Sequence, residues 1–210
     1  IIGKGGTTYI DDFEGTRSFI DLKMPVINWK LSSTPKGDNS SKLFPEAELF
    51  DSLDYGKNRA KMTWYSVDNV LTRTTNTPSI PDHLKEYADS AANGLLDMNI
   101  YIREVVEQEV FPNKQSQTGY GLPLPTMNIT YYPNERGPYN YDDENIDSEG
   151  FLNDPEDRWG GIMQDIQTTD FEASNVEYIE FWLLDPFYYN DEIKGDLYIN
   201  LGNVSEDVLK

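Results

Sequence analysis

The chain has 210 residues, enough for one large domain with a sizeable core, and hydrophobic residues make up 38% of it. That is too apolar for a disordered chain, although 37 acids against 17 bases give a net charge of −20. The charge argues against nucleic acid and anionic membrane surfaces, which would repel it, and the absence of cysteine excludes disulfides and thiolate metal sites.

In chain order, residues 7–14 read as an entry strand closed by Gly15, and residues 17–23 alternate as a second. Residues 26–31 suggest another short strand containing Trp29, followed by a Ser-, Thr-, Pro- and Gly-rich loop over 32–41. Residues 45–53 predict a short helix, with Pro45 at its start and acids in its first turn. Residues 60–68 return to strand alternation.

Residues 82–96 have helical composition, and 99–111 lean helical, with Pro112 as the stop. Together they predict a partly helical insertion over 79–120 in an otherwise β-rich chain. Residues 127–132 predict a strand ended by Pro133, and 141–158 form an acidic stretch containing a single arginine. Strands are predicted over 162–166, 176–184 and 197–201, the second apolar on both faces and therefore central. The rival reading of 176–184, a membrane-barrel strand, would set Glu177 and Glu180 awkwardly against lipid or lumen. No apolar run approaches transmembrane-helix length, and the opening Ile1-Ile-Gly-Lys-Gly-Gly6 lacks the basic and apolar regions of a signal peptide. The expected fold is a mainly β single domain over 1–210, a jelly-roll-like sandwich of the galactose-binding kind, excised from a larger protein.

The strongest local chemical pattern is residues 145–156. Aligned to a twelve-residue calcium loop, Asn145, Asp147 and Glu149 take positions one, three and five, and Gly150 takes six. Phe151 would lend its carbonyl and Glu156 would close the site with both oxygens. Asn at the first position and Glu at the fifth depart from the pattern, and Gly137-Pro138 rules out the usual entering helix. The plainer reading is an acidic surface loop with a turn at Gly150. Asp11, Asp12 and Glu14 form a second acidic group, at the place where sugar-binding jelly rolls often hold a structural calcium.

Catalytic patterns are absent from the sequence. His83 is the single histidine, no nucleophile-elbow motif surrounds a serine, and Gly3-Lys-Gly-Gly6 lacks the ending of a phosphate loop. Glu177 and Glu180 lie three apart on a strand and so face opposite ways, which prevents them acting as one dyad. Among the aromatics, Trp64 and Trp182 read as core. Tyr139 and Tyr141, beside the Gly137-Pro138 turn, read as surface contacts, with Trp159 as a third candidate binding residue.

Several longer segments then carry a family resemblance. They are Tyr9-Ile-Asp-Asp-Phe-Glu-Gly15, Asn58-Arg-Ala-Lys-Met-Thr-Trp-Tyr65, Glu109-Val-Phe-Pro-Asn113 and Tyr132-Pro-Asn-Glu-Arg-Gly-Pro-Tyr-Asn-Tyr141. Arg158-Trp-Gly-Gly-Ile-Met163, Asp170-Phe-Glu172, Tyr178-Ile-Glu-Phe-Trp182, Asp185-Pro-Phe187 and Leu201-Gly-Asn-Val-Ser-Glu-Asp-Val-Leu209 follow in order. The set resembles the SprA/Sov family, the gliding-motility and type IX secretion translocon of Bacteroidota outer membranes. The resemblance implies a soluble insertion between strands of a giant barrel, in the cell envelope, on its periplasmic or cell-surface face. It implies no enzyme activity, secreted cargo and other translocon subunits as partners, and membrane contact only through the parent barrel. A calcium-stabilised carbohydrate-binding module with a glycan ligand is the reading from another class, and a glycosidase comes third.

Overall fold

The computed structural model describes residues 22, 25–34, 44–49, 51–68, 101, 103–114, 122–168, 170–171, 176, 178–188, 192 and 194–202. The chain forms two compact units. The first comprises Ile1–Met24, Ser66–Thr126 and Ile166–Pro186, and the second Pro25–Tyr65, Met127–Asp165 and Phe187–Lys210. Among the described residues the architecture is mainly small antiparallel sheets with little helix. The expected strands over 7–14 and 17–23 and the helix over 82–96 fall outside the described residues, apart from Leu22.

The two sheets among the described residues lie in the second unit. Strand β1 (Lys30–Leu31) pairs antiparallel with β4 (Ile162–Met163), setting Lys30 opposite Met163 and Leu31 opposite Ile162. Strand β2 (Ala60–Tyr65) pairs antiparallel with β3 (Asn128–Arg136), from Tyr65 opposite Asn128 to Lys61 opposite Tyr132. The register then jumps, because Ala60 faces Arg136. Pro133, Asn134 and Glu135 therefore bulge out of the ladder.

That bulge corrects the expectation that Pro133 ends the strand. Proline cannot donate to a ladder and is tolerated in sheets at bulges. Here it sits in the looped-out stretch, so β3 passes through it and resumes. Gly137 continues the close approach: a Cβ there would lie 2.3 Å from the Ala60 carbonyl oxygen. Its own N–H donates to the Arg59 carbonyl at 3.1 Å.

The helix expected over 45–53 is two separate 3-10 turns, Pro45–Glu48 and Leu53–Gly56. Asp51, with φ 51, and the extended Ser52 interrupt the helical path between them. The Ser52 hydroxyl then accepts the Asp54 N–H at 3.2 Å, the usual way a helix start is satisfied. Residues 26–31 divide likewise into a 3-10 turn (Val26–Asn28) and β1.

In the first unit, the described part of the expected insertion holds one helical turn, α1 (Glu107–Val110). Val105 and Val106, expected on a helical stripe, are instead extended. Val106 bridges Pro123, and the Leu124 N–H donates to the Val105 carbonyl at 2.8 Å. Phe111 leaves the helical region just before Pro112, as the residue preceding proline must.

The largest departure lies at residues 178–184 and 197–201. None of these residues is in a strand, and all are exposed, Trp182 at 66%. The apolar pattern there is real, but no described residue pairs with either stretch, so the central strand it predicts does not form.

Candidate functional site

The second unit buries more polar than apolar side chains among its described residues. Ala47, Tyr55, Ala60 and Leu152 are its buried apolar groups, whereas Ser32, Ser33, Thr34, Glu46, Arg59, Asn140, Asp142 and Arg158 are buried and polar. Such a core holds only where those groups satisfy one another, because a buried polar atom without a partner costs about 1–3 kcal/mol. The partners converge on one short segment, Lys57–Ala60.

That segment is hydrogen-bonded along both edges. On one side Trp159 bridges it in parallel: its N–H donates to the Asn58 carbonyl at 3.0 Å and its carbonyl accepts the Ala60 N–H at 2.8 Å. On the other side the Asn140 amide donates to the Lys57 carbonyl at 2.9 Å and the Arg59 carbonyl at 2.7 Å. The Asn140 side-chain oxygen meanwhile accepts the Asp142 N–H at 2.9 Å.

Two arginines fasten the arrangement. Arg158 reaches the Lys57 carbonyl at 2.9 Å, the Asn58 side-chain oxygen at 3.2 Å and the Asn153 carbonyl at 3.0 Å. Its Nη1 also lies 3.3 Å from Asp142 Oδ2, an ion pair with almost no exposure on either partner. Arg59 is fully buried, with its guanidinium 4.9 Å above the Trp159 ring and 5.6 Å from that of Tyr55, and donates to the Pro138 carbonyl at 3.2 Å. Arginine suits this place because its planar fork both stacks on aromatics and spreads several hydrogen bonds. Burial pulls the Arg59 guanidinium below its ordinary value, opposed by Tyr55 and Glu46.

The two buried acids behave in opposite ways. Burial alone would push the Asp142 carboxyl up, but the N–H groups of Asn145 and Glu144, each at 3.1 Å, together with Arg158, hold it below the usual carboxylate range. Glu46 accepts the Trp159 indole N–H on Oε1, while its Oε2 has no hydrogen bond. Burial pushes the Glu46 carboxyl up, and the Trp159 hydrogen bond and the Arg59 charge only partly counter it.

Above this knot the chain turns at Gly137-Pro138-Tyr139-Asn140, closed by Asn140 N–H donating to the Gly137 carbonyl at 3.2 Å. Pro138 takes the second position of the turn and Tyr139 the third, with φ 62. Glycine is the usual residue at a third position with positive φ, and a β-carbon there costs roughly 1–2 kcal/mol. From there the side chains alternate: Tyr139 is 45% exposed, Asn140 buried, Tyr141 54% exposed and Asp142 buried.

The expected contacts Tyr139 and Tyr141 thus both stand on the surface. Trp159 has another place: it is half-buried, edge-on to Phe44 at 6.3 Å, and committed to Arg59 and Glu46. Nothing in its local sequence foretells this, because Glu46 and Arg59 lie about a hundred residues away. Arg158 had a weak signal, as the single arginine of an acidic stretch.

The proposed calcium ligands are not brought together. Residues 145–153 form a small hairpin in which Ile146 bridges Leu152 and the Asn153 N–H donates to the Asn145 carbonyl at 2.9 Å. Asp147 Oδ1 accepts the N–H groups of Glu149 at 2.8 Å and Phe151 at 2.9 Å. The Phe151 carbonyl accepts the Asp147 N–H at 2.8 Å. Glu156 lies beyond, in the 3-10 turn Pro155–Asp157. The turn at Gly150, with φ 90, is where the plainer reading put it. Among the described residues no three acids or histidines are grouped to hold a metal. Asp11, Asp12 and Glu14 lie outside the described residues.

Beside the hairpin, the β3 bulge and Phe151 border an open recess of about 390 Å³, lined by Tyr131, Tyr132, Pro133, Asn134, Glu135 and Phe151. The Leu152 N–H donates to the Asn134 carbonyl at 2.7 Å and ties its two walls together. Lys61 holds two of the lining residues, 4.8 Å from the Tyr132 ring and 2.5 Å from Glu135. Burial pushes the Tyr131 phenol up to about 12.

No protein-family model matches the chain, and no curated protein does either.

Proposed function

We propose that the chain is a non-catalytic contact domain of an outer-membrane protein-secretion translocon of the SprA/Sov kind, serving type IX secretion and gliding motility. In this reading it works in the cell envelope, on the periplasmic or cell-surface face, where it shapes the pore or meets secreted cargo and partner subunits. Its attachment to the membrane runs through a barrel elsewhere in the parent protein. A jelly-roll-like β-sandwich with a helical insertion over 79–120 is the finer architecture that goes with it, and the two small antiparallel sheets are compatible with that.

The observation that carries the reading is the apolar surface. Tyr178, Ile179, Phe181, Trp182, Leu183 and Leu184 are all exposed, as are Leu197, Tyr198, Ile199 and Leu201. Each of these two runs, one in each unit, exposes several large apolar residues in succession, and exposed apolar surface is where a protein partner can dock. The resemblance adds a second support, since three of its segments, 58–65, 132–141 and 158–163, are those that build the buried knot. The test is replacement of Trp182 and Leu184 by Asp in the intact parent protein. The reading predicts secretion lost at unchanged protein level; full secretion by that variant would count against it.

A surface carbohydrate-binding module is the second reading, favoured by exposed Tyr139 and Tyr141 and, separately, by the aromatic-lined recess at the β3 bulge. Saturable glycan binding lost on mutation of either tyrosine would favour it.

A further inference from the structure

We propose that the Asp154–Pro155 peptide bond is a self-cleavage site, at which the Asp154 side chain cuts the chain behind itself in mild acid. Such a site needs no partner, and it acts whether or not the chain serves secretion.

The chemistry is an intramolecular acyl transfer followed by hydrolysis. A carboxylate oxygen of Asp154 bonds to the Asp154 main-chain carbonyl carbon and closes a cyclic anhydride, an attack that costs no encounter because both groups belong to one residue. The C–N bond to Pro155 breaks, and its electron pair stays on the nitrogen, which takes a proton from the acidic medium. That nitrogen is a tertiary amide without a hydrogen, which makes it the best leaving group a peptide bond offers. Water then opens the anhydride, leaving Asp154 as a new carboxy terminus and Pro155 as a new amino terminus. Nothing is oxidised or reduced.

The chain carries two Asp-Pro bonds, at 154–155 and 185–186, and the fold treats them differently. Asp154 has φ 53 and ψ 62, in the left-handed region, although the residue before a proline is pushed toward extended backbone. It is therefore strained, and cutting its bond to Pro155 removes the constraint. Asp185 has no positive φ. The carbonyl to be attacked also has a donor in place: the Asp157 N–H gives its hydrogen to the Asp154 oxygen at 3.1 Å. A fixed N–H at that distance polarises the carbon and stabilises the negative charge that the oxygen gains in the attack. The Asp154 carboxyl makes no capping hydrogen bond to the turn, and the residue is exposed, which admits the water of the second step. Beyond the bond, Arg158 and Trp159 hold Lys57, Asn58, Ala60 and Asp142 on the other piece, so the two pieces stay joined after the cut.

The test holds the purified chain at about pH 5, where Asp142 keeps its charge for Arg158, and follows both Asp-Pro bonds by mass spectrometry in buffer and in concentrated urea. The expected result in buffer is a pair of fragments ending at Asp154 and beginning at Pro155, formed about tenfold or more faster than the pair from the 185–186 bond. In urea the two rates converge, because the strain and the Asp157 donor go with the fold. Asp154→Asn tolerates the left-handed backbone and lacks the carboxylate, so it stops cutting at 154–155 and still cuts at 185–186. Equal rates at the two bonds in buffer, an unchanged ratio in urea, cutting by Asp154→Asn at the wild-type rate, or no cutting at 154–155 would each overturn the proposal.

Discussion

At the scale of single residues, the fold of the second unit depends on paired buried charges. Replacing Arg158 or Asp142 by Ala leaves the other charge buried and alone, which costs about 3–5 kcal/mol. Urea unfolding should show a loss of that size for either variant. Arg158→Lys should also lose stability, because a point charge cannot serve the carbonyls of Lys57 and Asn153 together with Asp142. The two acids give opposite pH dependences. Glu46 is raised in the folded state, so its contribution is full at pH below the ordinary carboxylate value and is lost as pH rises through the folded value. Asp142 is depressed, so its contribution is present above the ordinary value and is lost as pH falls through the folded one. Glu46→Gln should therefore gain on wild type as pH rises from 4 to 7, measured as urea midpoints; parallel curves would contradict the assignment. Sequence made the tyrosines legible because a Gly-Pro turn announces surface. It hid Trp159 and Glu46, whose roles exist only once distant segments meet.

At the scale of elements, bulges and turns decide what pattern alone leaves open. Alternation located β2 and most of β3, but not the three-residue bulge that lets β3 pass Pro133, since a bulge is set by pairing across strands. Gly137→Ala should disrupt this corner, because the added carbon meets the Ala60 carbonyl and the backbone must move. Circular dichroism melting should show a clear drop in Tm. In the hairpin over 145–153, Asp147→Ala removes the acceptor of two backbone N–H groups and should cost about 1.5–3 kcal/mol. With that carboxylate engaged internally, the loss should be the same with and without calcium. A calcium-dependent rise in the Tm of wild type alone would restore the loop as a metal site. The calcium pattern was legible as spacing, but spacing does not say whether the ligand oxygens face inward or serve their own loop.

At the scale of the whole molecule, a net charge of −20 and exposed apolar stretches oppose each other. Repulsion keeps copies apart at low ionic strength, and salt screens it. Light scattering should therefore show association growing with added salt, less so in a variant with Trp182 and Leu184 replaced by Asp. The sequence reads residues 176–184 as a buried central strand because they are apolar on both faces; that property is shared by surfaces that a partner buries. The most direct measurement of the contact-domain account is photo-crosslinking from positions 182 and 198 of the parent protein in living, secreting cells. Crosslinks to secreted proteins or other translocon subunits are the predicted result. Crosslinks to neither, in cells where secretion proceeds normally, would contradict it.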